Sequence, residues 1–145
     1  MPQACCYPLR EETTLEQAAL AEPLSIGAYA VRCASLKPGA RVGVLGCGPI
    51  GLCVILAARA AATAIYATDP LPPRRAAACA AGASWTGAPA EANAAVPSAE
   101  PLLLDAVFEC CGEQAALDQA IELLKPCGKL MVVGIPAEEI GRAHV

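Results

Sequence analysis

Three glycines, Gly46, Gly48 and Gly51, stand at G-x-G-x-x-G spacing, and an acid, Asp69, lies 18 residues beyond the last of them. These residue types at this spacing suit a pyrophosphate and a ribose. The first glycine permits a tight turn, the second lets backbone approach the pyrophosphate, and the third lets a helix sit close on a sheet. Free N–H groups at that helix start carry partial positive charge. A carboxylate at about this separation can accept hydrogen bonds from adenosine ribose hydroxyls. Glycine turns also recur in α/β proteins that bind no nucleotide, so the flanking elements decide. Val42–Leu45 reads as a buried strand, Leu52–Ala62 as an apolar helix-favouring run, and Ala64–Thr68 as a second strand ending at the acid. Strand, glycine turn, helix, strand and acid occur in the order a dinucleotide site requires.

The rest of the chain supplies the elements that would hold this unit in place. Thr13-x-x-Glu16 and Thr14-x-x-Gln17 are capping patterns that start a helix reaching about Ala21. Pro23 is expected to interrupt it, and Leu24–Ser35 to form a second helix with Leu24, Ala28 and Val31 on one face. After Asp69, prolines at 70, 72 and 73 restart a helix that Gly82 closes. Ser84–Thr86 reads as a short third strand, Asp105–Glu109 as a fourth, Glu113–Leu124 as a helix and Lys129–Val133 as a fifth strand. The stretch 87–101, with three prolines and many alanines, reads as a mobile loop. Strands alternating with helices imply a parallel sheet with right-handed crossovers. The expected fold is therefore α/β, a Rossmann-type doubly wound sheet of order 3-2-1-4-5.

Composition bounds the partners. The 145 residues are 56% hydrophobic with one Trp, one Phe and three Tyr, so the core must rest on alanine, leucine and valine. A net charge of -4, with neither a basic patch nor interleaved aromatics, argues against nucleic acid or an anionic membrane surface as partner. The N-terminus lacks the basic start and apolar middle of a signal peptide. The uncharged run Val42–Ala58 is short for a membrane span and holds four glycines and Pro49. Nine cysteines include no C-x-x-C pair, which favours a reduced, cytoplasmic chain over a metal or disulfide framework. Cys5-Cys6 and Cys110-Cys111 are adjacent pairs open to oxidation. The single histidine, His144, reads as a solvated end residue.

At this point the chain resembles the cofactor domain of the medium-chain, zinc-dependent alcohol and polyol dehydrogenases, nearest the sorbitol and threonine dehydrogenase branch. The resemblance covers about Leu15 to Pro136. It rests on Glu22-Pro-Leu-Ser-Ile-Gly27, Lys37-Pro-Gly-Ala-Arg-Val42, Gly46-Cys-Gly-Pro-Ile-Gly51, Asp69 with Arg74, Gly82-Ala83, Asp105-Ala-Val-Phe-Glu-Cys-Cys-Gly112 and Leu124 through Pro136. It implies that Gly48, Pro49 and Ile50 hold the pyrophosphate of NAD, that Asp69 binds the adenosine ribose with Arg74 beside it, and that Cys111-Gly112 and Gly134-Ile135-Pro136 flank the nicotinamide. Cys127 departs from the family's usual glycine, which matters only if that position needs a positive φ angle.

The resemblance also implies a barrel-like catalytic domain carrying zinc, and a sixth strand after Pro136. Neither is expected within this chain: no catalytic and no metal-ligating residue is assigned. Glu22 matches a glutamate near the zinc of the polyol branch, but one acid at a helix start is also a dipole-stabilised cap. The expected organisation is a connecting segment at 1–23, the dinucleotide-binding domain at 24–136 and a tail at 137–145, truncated or appended. With no sixth strand, the fifth is an open edge that a second copy or the tail would cover. Two other readings stand beside the NAD dehydrogenase. One is a non-catalytic NAD-binding module or truncated remnant. The other is a methyltransferase using S-adenosylmethionine, whose fold usually puts an acid at the end of its first strand, where Leu45 stands here.

Overall fold

The computed structural model describes residues 2–96 and 103–136. Five parallel strands form one sheet in the order β3-β2-β1-β4-β5, the expected doubly wound arrangement. The strands are β1 Ala40–Leu45, β2 Ala62–Thr68, β3 Trp85–Gly87, β4 Leu104–Glu109 and β5 Leu124–Val132. Helices α1 Leu15–Ala19 and α2 Ala21–Ala34 precede β1, then α3 Pro49–Ala58 and α4 Pro72–Ala81 join the strands on one side. The short α5 Ala92–Ala95 and α6 Gln114–Leu123 complete the set.

Alternation along the central strands explains why both faces need helices. Val42 and Val44 of β1, with Ile65, Ala67 and Phe108, pack against Ala30, Ala34, Val54, Ile55, Ala58 and Ala78 of α2, α3 and α4. Leu45 and Val107 point the other way, into Leu104, Ala92, Val96, Ala120 and Leu123. Such strands have no polar face to show to water, so they read as continuous apolar runs. Small side chains bring the layers close: a Cβ built on Gly27 of α2 would lie 2.6 Å from the Cys53 carbonyl carbon of α3.

Several boundaries differ from the sequence reading, each for a physical reason. Pro23 does not break the chain; it sits in the first turn of α2, where N–H groups have no intrahelical acceptor and a missing donor costs nothing. Only the second capping pattern forms: Thr14 Oγ1 accepts from the Gln17 N–H at 3.2 Å while Gln17 Oε1 accepts from the Thr14 N–H at 3.0 Å. The glycine turn hands over directly to α3 at Pro49, so that helix starts three residues before Leu52. Part of the stretch read as a mobile loop is regular: a 3-10 turn at Pro89–Glu91 leads into α5, and Val96 packs at 2% exposure. Residues 97–101 of that stretch, His144 and the tail 137–145 lie outside the described residues.

The start of β5 carries the feature that the missing glycine foreshadowed. Leu104 pairs with Leu124 and Ala106 with Lys129, so Lys125–Gly128 form a loop-out in the ladder. Cys127 lies at its apex with φ +62°, one of two described non-glycine residues with positive φ. A β-carbon in that region meets the following carbonyl, at a cost of about 1–2 kcal/mol. Glycine there removes the clash but adds unfolded-chain entropy, so Cys127→Gly should stabilise the fold by about 1 kcal/mol. Cys127→Ala keeps the clash and should give no gain. Urea unfolding of the three proteins checks this, a raised midpoint for the glycine variant alone being the expected result.

Candidate functional site

The ends of β1 and β2 and the start of α3 meet at the glycine turn. Gly46, at φ +94°, reverses the chain directly after Leu45, its N–H donating to the Thr68 carbonyl at 2.8 Å. Gly51 lies beneath this turn, and a Cβ there would run into the Gly46 carbonyl oxygen. Gly48 is different. A Cβ on it would meet nothing within 4 Å, so no protein contact calls for a glycine there. On its open side α3 begins without a side-chain cap, so its first N–H groups have no side-chain acceptor.

Asp69 ties this turn to the second strand. Its carboxylate is 2% exposed; Oδ2 accepts from the Cys47 N–H at 2.9 Å and Oδ1 from the Leu71 N–H at 2.9 Å. Arg74 stands 3.6 Å from Oδ2 and is half exposed. Arg75 faces elsewhere, donating to the Asp69 and Pro70 carbonyls at 2.8 and 3.0 Å. Asp69 thus has a structural task the sequence did not disclose, with lone pairs left over on the open side.

A second buried acid, Glu109, organises the other rim. Oε1 accepts from the Cys111 and Gly112 N–H groups, each at 2.7 Å, and from the Cys111 thiol at 3.0 Å. Its backbone carbonyl accepts from the Val133 and Gly134 N–H groups at 2.8 and 2.9 Å. Gly112 has φ +75°, and Cβ atoms on Gly112 or Gly134 would collide with the backbone of the facing loop. The loops after β4 and β5 therefore pack backbone to backbone.

Between these rims lies a cavity of about 740 Å³. Gly46, Gly48, Pro49, Asp69, Arg74 and Cys111 line it. Ile50, Gly51, Gly112, Gly134, Ile135 and Pro136 lie outside this lining; Gly51 packs against the Gly46 carbonyl and Gly112 against Ile135. Ile135 is 90% exposed. The sequence reading missed the opposite wall, made by Pro89 and Ala90 with Glu113, which precedes α6, and Ala116 and Gln119 of α6. Gln119 Nε2 donates to the Pro89 carbonyl at 2.8 Å and fixes that wall. Only the capping residues of the Pro89–Glu91 turn could have signalled it.

Comparison with known proteins decides the family. The profile of zinc-binding dehydrogenases matches residues 49–142. Sorbitol dehydrogenase of Gallus gallus is 37% identical over 93% of this chain and 40% of its own length. The crystal structure of 2R,3R-butanediol dehydrogenase from Bacillus subtilis superposes with a TM-score of 0.81 at 37% identity, over 95% of this chain and 40% of that one. Quinone oxidoreductase from Thermus thermophilus, solved also in complex with NADPH, gives a TM-score of 0.81 at 27% identity, over 97% and 46%. The chain belongs to the zinc-dependent medium-chain alcohol and polyol dehydrogenase family. It spans about two fifths of the length of the curated relatives it matches.

Membership in this dehydrogenase family removes the methyltransferase reading. Among the described residues no three His, Cys, Asp or Glu side chains converge to hold a metal ion, so the zinc of the family's description has no donor set here. The cysteines at the site are not poised for metal or nucleophilic chemistry. Burial, with help from Asp69, pushes the Cys47 thiol up to about 11. Burial first and then Glu109 push Cys110 and Cys111 up to about 12, so all three stay protonated at neutral pH.

Proposed function

We propose that this chain is the NAD(H)-binding domain of a medium-chain dehydrogenase that oxidises a secondary alcohol, a polyol or sugar. The observation that carries the reading is the buried Asp69 carboxylate, held at the edge of a cavity whose floor is the open face of Gly48. Gly48, Pro49 and Ile50 would hold the pyrophosphate on the α3 N–H groups, Asp69 and Arg74 the adenosine ribose, and the Cys111–Gly112 and Gly134–Pro136 loops the nicotinamide side. The nicotinamide, when bound, accepts hydride from the alcohol carbon. These residues orient and bind; the Lewis acid that lowers an alcohol pKa would come from residues outside this chain. The 145 residues alone should therefore bind cofactor without oxidising sorbitol or xylitol, which also describes a non-catalytic NAD-binding module. Sorbitol and butanediol dehydrogenase relatives support a diol substrate class. Nine free thiols support a cytoplasmic setting, and a net charge of -4 speaks against nucleic acid or an anionic membrane surface as partner.

Cofactor choice follows from charge. A 2′-phosphate would bring about two negative charges to the Asp69 carboxylate, with Arg74 alone to offset them because Arg75 is occupied by carbonyls. Calorimetric titration should show tighter binding of NADH than NADPH, with Asp69→Ala weakening NADH by about 10- to 150-fold, the equivalent of about 1.5–3 kcal/mol. Equal or tighter NADPH binding would contradict it.

We further propose a two-fold dimer through the outer edge of β5. Among the described residues no strand pairs with that edge, and Val132 on it is half exposed. Light scattering should give twice the chain mass of 14.7 kDa. A monomer at high concentration would rule the dimer out.

A further inference from the structure

The buried carboxylate of Glu109 has no role in the binding assignments above, yet it accepts three hydrogen bonds. It is 1% exposed, and its oxygens lie between two loops that are otherwise held together by little but glycine backbone. Oε1 gathers the Cys111 and Gly112 N–H groups and the Cys111 thiol. Oε2 lies 2.6 Å from where a Cβ on Gly134 would be, so the carboxylate also sets how near the second loop can come. The same residue's carbonyl takes the Val133 and Gly134 N–H groups. One residue thus holds five donors from two loops in fixed relation. On the proposed cofactor reading those two loops flank the nicotinamide, whereas the Gly46–Gly51 turn and Asp69 hold the adenosine and pyrophosphate.

We infer that Glu109 is a positioning residue for the nicotinamide half of the dinucleotide, acting through the Cys111–Gly112 and Gly134–Pro136 loops without touching the cofactor itself. A carboxylate suits the task because an ionised acceptor gives shorter and stronger hydrogen bonds than a neutral one and has room for several donors. Its burial, between strand ends with no water to replace lost bonds, makes truncation leave the Cys111 and Gly112 N–H groups unsatisfied. The effect should be local. The hydrogen bonds that hold Asp69 and Cys47 use no atom of Glu109, so the adenosine side should respond far less than the nicotinamide side.

This inference rests on the proposed dinucleotide site, and the test separates the two. The wild-type chain and the variants Glu109→Ala, Glu109→Gln and Gly134→Ala are titrated with NADH and with ADP-ribose, which lacks the nicotinamide. Expected is an increase of about tenfold in the ratio of the NADH to the ADP-ribose dissociation constant for Glu109→Ala, with ADP-ribose affinity within about twofold of wild type. Glu109→Gln keeps one acceptor oxygen and should restore most of the ratio. Gly134→Ala leaves the carboxylate in place but forces the loops apart, and should raise the ratio too, which keeps the test decisive if Glu109→Ala fails to fold. An unchanged ratio in Glu109→Ala, or in Gly134→Ala where Glu109→Ala does not fold, overturns the positioning role while leaving the dinucleotide site standing. Failure of the wild-type chain to bind ADP-ribose overturns the dinucleotide site, and the role of Glu109 with it.

Discussion

The hydrogen bond from the Cys47 N–H to Asp69 Oδ2, 2.9 Å long and shielded from water, is the contact on which the site depends. It joins the middle of the glycine turn to the end of the neighbouring strand, across 22 residues of sequence. A charged acceptor in a buried place gives a stronger bond than a neutral one, and its loss leaves a donor unsatisfied. The Asp69 bond acts together with the Gly46 N–H bond to the Thr68 carbonyl, and between them they hold a turn whose glycines at 46, 48 and 51 leave its backbone conformationally free and whose helix has no side-chain cap. Asp69 therefore helps to fix the direction in which the first N–H groups of α3 point.

That arrangement is possible because the layers lie unusually close. Gly27 against Cys53, Gly51 against the Gly46 carbonyl and Gly134 against the loop of Gly112 are all positions where a single β-carbon would displace backbone. A core in which alanine outnumbers large side chains fits the same geometry. The cost is carried at the opposite end of the molecule as well, where Cys127 occupies a left-handed conformation that glycine would adopt without strain. The site end has glycine wherever a positive φ is needed.

Much of this was legible in the sequence because parallel strands with both faces covered must read as uninterrupted apolar runs, as Val42–Leu45 and the shorter Ala106–Phe108 do. Strand order followed from the alternation of strand and helix. Helix starts were less legible: Pro23 reads as a break when its missing N–H is counted as a loss, though in a first turn there is nothing to lose. The 3-10 turn and α5 were hidden by the alanine-rich composition of 87–101, where Ala92 and Val96 pack on Leu104 and Leu123, distant in sequence. At the site, Asp69 and the glycines were visible from spacing alone. Glu109 was not, because nothing local distinguishes an acid at a strand end that faces solvent from one that turns inward to meet three donors.

Amide chemical-shift mapping of the 145-residue chain titrated with NADH tests the account most directly, because it reports each backbone N–H that the argument names. The account predicts shifts concentrated at Gly46–Gly51, Asp69–Arg74, Cys111–Gly112 and Gly134–Ile135. The cluster of Lys37, Lys125 and Lys129 at the far end of the sheet should remain unmoved. Shifts confined to that far end, or none at the glycine turn and Asp69 at saturating cofactor, would contradict it.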